Sequence, residues 1–329
     1  MKVLHIGKQG NVNRFSKSED KADDLVLVEC AGGLIDEDYL KDARDAEYII
    51  SDPMCKVSGT LIDSMPNLKM IHTEGVGYNL IDIEMAKSKN VFVCNSKGVN
   101  ASAVAEQTLL LMLGVLRDVK ANDQAVKNAN QIQVKENHMK EVSLPEIADL
   151  KIGLIGFGDI AKATAKLLIP FNTDVYYYSH HRVDKTIEDE YKVTYLERDE
   201  LIKTCDLISL HTPVTSATLH AVNDEFFSLM KRNSYLINSS RGELVDTDAL
   251  IRALKSGKLK MAGLDTIENE PVQKDNKLIN EVEILDKLLL SPHIAGITGS
   301  SFRRAYAMIW KDIKLVRNNE RPHNIVNGL

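Results

Sequence analysis

The sequence predicts an α/β protein made of two doubly wound parallel-sheet domains, and three observations predict it. Short apolar or β-branched runs alternate with amphipathic stretches in two successive series. A glycine-rich turn opens the second series, between a strand-like run and a helical one. An amphipathic tail over 300–318 follows the last strand of the second series and is expected to pack back on the first, which makes the first domain discontinuous.

In the first series the strand-like runs are 3–6, 25–28, 48–50, 70–72 and 91–93, with helical segments such as 36–44 and 81–88 between them. Such alternation implies a parallel sheet covered on both faces. This series ends near Gly98, and one long helical stretch is expected over 101–129. Its centre, Leu109 to Leu113, is apolar all round, so burial on every side is expected, preferably at the interface of a homodimer. A polar stretch over 130–143 leads to the second series, with strands expected at 152–155, 175–178, 207–210, 235–238, 261–264 and 288–291.

Composition narrows the function. The chain has 329 residues, enough for two cores, with 44% apolar and 27% charged residues. Its formal charge is −6, a balance that repels nucleic acid and anionic lipid. The longest apolar run, 109–116, is far short of the roughly 20 residues that span a bilayer. No signal peptide is read at the N-terminus, and Cys30, Cys55, Cys94 and Cys205 form no CxxC pair. No metal site is expected, and a reducing, cytoplasmic location is.

The glycine turn is specific because of its context. Gly156, Gly158 and Ala161 fill the G-x-G-x-x-G/A pattern, after a strand and before a helix. Gly156 permits the tight turn, Gly158 lets the backbone approach a pyrophosphate, and Ala161 lets helix and strand lie close. The helix N-terminus at Asp159 and Ile160 then offers free N–H groups to phosphate. These residues point to a dinucleotide. The second strand of this unit ends at Ser179, His180, His181 and Arg182, with no acid to take a ribose 2′-hydroxyl. Ser179, His180 and Arg182 can instead receive a 2′-phosphate, so NADP is expected as cofactor, with NAD the alternative.

Reduction of a carbonyl needs a cation to polarise it and an acid to protonate the forming alkoxide. Arg241, Glu270 and His293 stand just past the ends of three strands of the second series, where ligands bind in such sheets. At this point the chain resembles the D-isomer-specific 2-hydroxyacid dehydrogenase family. The matching segments run in order: 75–82, the turn 156–161, His211-Thr212-Pro213, 238–246, 265–271 and 292–296. The resemblance implies a Rossmann NAD(P)-binding domain, 101–296, inserted in a flavodoxin-like substrate domain, 1–100 with 297–329. The reaction it implies is reversible hydride transfer between a nicotinamide and a small 2-keto or 2-hydroxy acid.

The resemblance also assigns roles. Arg241 is expected to bind the substrate carboxylate and keto oxygen through its planar fork. His293 is the expected general acid/base, and Glu270 the carboxylate that orients it. Val76 and Gly77 are expected to offer backbone N–H groups to the substrate carboxylate, with Asn100 nearby. Asp265 is expected at the nicotinamide carboxamide. Thr212, Pro213, Ser239, Ser240, His293, Ala295 and Gly296 are expected to line the cofactor, and His211 to be structural or near the cofactor rather than catalytic. Departures from the family pattern include Ser179 at an acid position, Asp149 and Leu150 before the cofactor strand, and Gln107 where histidine is frequent. Two other readings share the fold. One is a nucleotide-binding co-regulator with little turnover. The other is a formate or phosphite oxidiser, and formate enzymes of this kind carry Gln where Glu270 stands.

Overall fold

The computed structural model describes residues 1–141 and 144–329. The chain divides into two compact units, Met1–Asn100 with Ile297–Leu329, and Ala101–Gly296.

The first unit holds a five-stranded parallel sheet: β1 (Lys2–Ile6), β2 (Val26–Cys30), β3 (Tyr48–Ser51), β4 (Met70–Thr73) and β5 (Phe92–Cys94). The order β2-β1-β3-β4-β5 is the flavodoxin-like winding. The central strands β3 and β4 are buried along their whole length, as strands covered on both faces must be. One face is covered by the C-terminal helix Gly299–Arg317, whose Tyr306, Ile309, Trp310 and Ile313 pack with Val3, Tyr48, Ile50 and Met70. Thr298 and Ser301 form a capping box that fixes where this helix starts. The helix read from 81 begins later, at Ile83, because the Asp82 carboxylate accepts from the N–H of Met85 and caps it.

The second unit holds a seven-stranded parallel sheet: β6 (Lys151–Ile155), β7 (Asp174–Tyr178), β8 (Val193–Tyr195), β9 (Leu207–Leu210), β10 (Ser234–Asn238), β11 (Leu259–Leu264) and β12 (Leu288–Leu290). The order β12-β11-β10-β9-β6-β7-β8 reverses direction between β6 and β9, which sets a ligand crevice at the carboxyl ends of those strands. The sequence reading missed β8, a three-residue edge strand too short to show alternation.

The connecting region adds detail to the sequence pattern and corrects it at one point. The stretch read as one helix over 101–129 is two, Ala101–Leu116 and Val119–Lys127, broken where Asp118 adopts a left-handed conformation. The stretch read as polar contains a third helix, Gln131–Glu141, while the end of that stretch, 142–143, lies outside the described residues. The apolar centre is not buried all round within the chain. Leu111, Met112, Val115 and Leu116 join the core, but Leu110 is 58% exposed.

Candidate active site

The glycine turn has the geometry of a phosphate cradle. Gly156 has φ +93°, and a Cβ there would lie 2.6 Å from the carbonyl oxygen of His211, so only glycine lets the turn pass the end of β9. Gly158 is the N-cap of the helix Asp159–Leu168, and a Cβ on it would meet nothing within 4 Å. The open space over that helix N-terminus is where a pyrophosphate can approach the backbone. It leads into a cavity of about 410 Å³ whose lining includes Gly156, Gly158, Ser179, His180, Thr212 and Pro213. These residues suit a dinucleotide.

Arg182 does not line that cavity. Its Nε and Nη2 donate to the two carboxylate oxygens of Glu188 at 2.8 and 3.0 Å, and its guanidinium lies 5.3 Å from the Tyr195 ring centroid. Glu188 is 2% exposed and also accepts from the Tyr177 hydroxyl, so the Arg182 hydrogen bonds hold its carboxyl down at about 2. This pairing engages two of the donors that Arg182 was expected to offer a 2′-phosphate, and it satisfies a carboxylate whose burial would otherwise be costly.

The three chemical groups stand past neighbouring strands. β10, β11 and β12 lie side by side, and their carboxyl ends lead to Arg241, Glu270 and His293 respectively. The Arg241 loop is shaped by Asn238, whose side-chain oxygen accepts from the Ser240 N–H at 3.0 Å and whose amide donates to the Arg241 carbonyl at 2.8 Å. The Ser240 hydroxyl ties the loop to the Thr212 carbonyl, and the Ser239 hydroxyl meets that of Thr108 at 2.6 Å. Gly242 lets this loop lie against the next one, since a Cβ there would fall 2.0 Å from the Ile267 carbonyl group. The Arg241 guanidinium is exposed, and its Nη1 donates to the Ser240 carbonyl.

Glu270 bridges two loops. Its Oε1 accepts from the Ile267 N–H at 3.0 Å, and its Oε2 lies 2.5 Å from His293 Nδ1. A carboxylate can only accept, so Nδ1 carries the proton and Nε2 is left to exchange one with a ligand. The two side chains line a largely apolar cavity of about 520 Å³ with Ile267, Val272, Ile279 and Leu290 among its walls. His293 has φ +54°, and its N–H donates to the Asp265 carbonyl.

Asp265 has a job that the sequence reading did not give it. It is 1% exposed, and its carboxylate accepts from the Ser291 hydroxyl at 2.5 Å and from the N–H groups of Ile294 and Ala295 at 3.1 and 2.9 Å. It thus holds the histidine loop. Gln107 extends the chain by donating to the Ser291 hydroxyl at 3.0 Å. His211 also lines the cavity beside the glycine turn, its Nε2 3.0 Å from the Ser209 hydroxyl, and desolvation pushes its ring down to about 4.

In the first unit, Gly75, Val76 and Gly77 form the loop past β4. The Gly75 carbonyl accepts from the Thr73 hydroxyl and the Ser96 N–H, and the Val76 carbonyl accepts from Asn95. Among the described hydrogen bonds, the N–H groups of Val76 and Gly77 meet no acceptor, which leaves two donors for an anion. Asn100 is half-buried at the end of the segment.

Comparison with known proteins agrees with this geometry. The family model described as D-isomer specific 2-hydroxyacid dehydrogenase, NAD binding domain, matches residues 109–295. A glyoxylate reductase of Thermofilum pendens is 33% identical over 88% of this chain and 84% of its own length. A glyoxylate reductase of Thermococcus litoralis is 34% identical over 88% of this chain and 86% of its own length. Among solved structures, a D-lactate dehydrogenase of Aquifex aeolicus, complexed with NAD and lactic acid, superposes with a TM-score of 0.79 at 30% identity and covers 99% of both chains.

Proposed function

The chain belongs to the D-isomer-specific 2-hydroxyacid dehydrogenase family, and we propose that it reduces a small 2-keto acid, such as glyoxylate or hydroxypyruvate, with NADPH as the preferred hydride source. It is an oxidoreductase with an NAD-binding Rossmann domain. The observation that carries the reading is the 2.5 Å contact between His293 Nδ1 and Glu270 Oε2 at the ends of neighbouring strands.

When bound, the reduced nicotinamide supplies a hydride to the keto carbon. His293 holds a proton on Nε2 for the keto oxygen, so that the carbon gains a hydride and the oxygen a proton as the hydroxy acid forms. Glu270 orients the ring and fixes its tautomer. Arg241 carries a charge that no proton loss can remove, and it binds the substrate carboxylate and steadies the developing alkoxide. The N–H groups of Val76 and Gly77 and the side chain of Asn100 are proposed as further substrate contacts. Gly156, Gly158, Asp159 and Ile160 hold the pyrophosphate; Thr212, Pro213, Ser239 and Ser240 line the remainder of the cofactor site, with Ala295 and Gly296 beyond the acid. Asp265 acts there by holding the histidine loop.

The preference for NADPH rests on the end of β7. Ser179 and His180 line the cofactor cavity there, and neither repels a phosphate as a carboxylate would. Assays with glyoxylate, hydroxypyruvate, pyruvate and branched 2-keto acids, each with NADPH and NADH, test both statements. Turnover of at least one keto acid with a higher kcat/KM for NADPH is expected. Absence of turnover across the panel would favour a nucleotide-binding co-regulator.

We also propose a homodimer. Leu110, Val119, Val126, Ile132 and Met139 are all more than half exposed on the three successive helices of the connecting region, which is more apolar surface than an isolated helical layer usually leaves open. Sedimentation velocity of the wild type and of Leu110→Asp distinguishes a dimer from a monomer.

A further inference from the structure

We propose that Arg198, and not Arg182, is the cation that reads the 2′-phosphate of NADPH. This inference rests on the cofactor preference proposed above and assigns it to a residue that the sequence pattern at the end of β7 does not contain. Arg198 opens the helix Arg198–Thr204, just after β8, the strand that pairs with β7. Its side chain lines the same cavity as Gly158, Ser179 and His180, whereas Arg182 is outside that lining.

The guanidinium is held in place by three neighbours. Nη1 donates to Asp199 Oδ1 at 2.9 Å, Nη2 donates to the Ala221 carbonyl at 3.3 Å, and the group lies 5.6 Å from the Phe226 ring centroid. These contacts fix the planar fork at the cavity wall without burying its charge, since the side chain stays 37% exposed. Among the described hydrogen bonds its Nε meets no acceptor, so one edge of the fork keeps a donor for a ligand. Asp199, 57% exposed, offsets part of the arginine charge. Arg182, by contrast, gives Nε and Nη2 to a buried carboxylate. A phosphate ester entering this cavity therefore finds one anchored cation, the imidazole of His180 and the hydroxyl of Ser179. A nucleotide that lacks the 2′-phosphate gains nothing from the arginine charge.

The test is calorimetric and uses no turnover. Binding of 2′,5′-ADP and of 5′-ADP is measured for the wild type, Arg198→Gln, Arg198→Lys and Arg182→Lys. The wild type is expected to prefer 2′,5′-ADP. Arg198→Gln should lose roughly tenfold or more of that preference, because a charge-assisted contact to phosphate is removed. Arg198→Lys should keep part of it, and Arg182→Lys should lower the melting temperature with the preference intact. If the wild type binds both nucleotides equally, the cofactor preference itself is wrong. If the wild type prefers 2′,5′-ADP and Arg198→Gln keeps that preference, or weakens both nucleotides alike, only the assignment to Arg198 is overturned.

Discussion

The imidazole of His293 lies with Nδ1 2.5 Å from Oε2 of Glu270, and Oε1 of the same carboxylate accepts from the N–H of Ile267. Glu270 therefore fixes both its own loop and the histidine ring. Replacing it with Gln keeps the shape and removes the charge. Glu270→Gln should lower kcat by roughly tenfold or more, with cofactor affinity little changed, because the loss falls on positioning of the proton donor. Steady-state kinetics and calorimetric cofactor titration check this. An unchanged kcat would remove Glu270 from the mechanism.

Arg241 stands on a loop tied down by Asn238 and by Gly242, which leans on the Ile267 carbonyl. Arg241→Ala should cost about 10²–10³ in kcat/KM for a keto acid, the usual loss on removing one preorganised donor. Arg241→Lys should regain only part, since a point charge cannot make two parallel contacts. Equal activity of the Lys variant and the wild type would argue that charge alone suffices.

The two turn glycines should fail in different ways. Gly156→Ala places a methyl group 2.6 Å from the His211 carbonyl oxygen on a backbone at φ +93°, so it should destabilise the fold by about 1–3 kcal/mol. Gly158→Ala meets no protein atom within 4 Å, so its melting temperature should hold while dinucleotide affinity falls. Thermal unfolding with and without cofactor separates the two. Similar melting losses for both variants would contradict the cradle.

Acid should weaken the fold in two stages. Desolvation pushes the His211 ring down to about 4 from its ordinary 6.5. The unfolded chain therefore takes up this proton as pH falls through 6.5, and the folded chain takes it up only near 4, so stability is lost across that window. Glu188 is held down at about 2 by Arg182; its contribution is fully present above 4.5 and is lost as pH falls towards 2. His211→Gln should flatten the fall in melting temperature between pH 6.5 and 4 and leave the lower stage in place. An identical fall in wild type and variant would show that His211 does not couple to folding.

Much of this was legible in the letters because the signals were local. The strand before Gly156 and the helix after Gly158 make the cofactor turn readable, and Arg241, Glu270 and His293 each follow an apolar strand by a few residues. Where the outcome depends on a distant partner, the letters were silent. That Arg182 pairs with a buried Glu188 is not announced by the residues beside it. Arg198 carries no motif and enters the cofactor cavity only because β8 lies beside β7. The contacts of Asp265 with N–H groups of the Ser291–Ala295 loop are set by the adjacency of β11 and β12, which no local pattern announces. The break at Asp118 has no proline or glycine to announce it, and the helix Gln131–Glu141 lacks an apolar stripe strong enough to be read.

Single-turnover reduction of glyoxylate by His293→Ala, followed as loss of reduced-nicotinamide absorbance with cofactor and keto acid saturating, tests the central claim most directly. A rate about 10²–10⁴ below that of the wild type is expected, with cofactor affinity retained and partial recovery on adding free imidazole. A rate within a few-fold of the wild type would contradict it, because the proton would then come from another group.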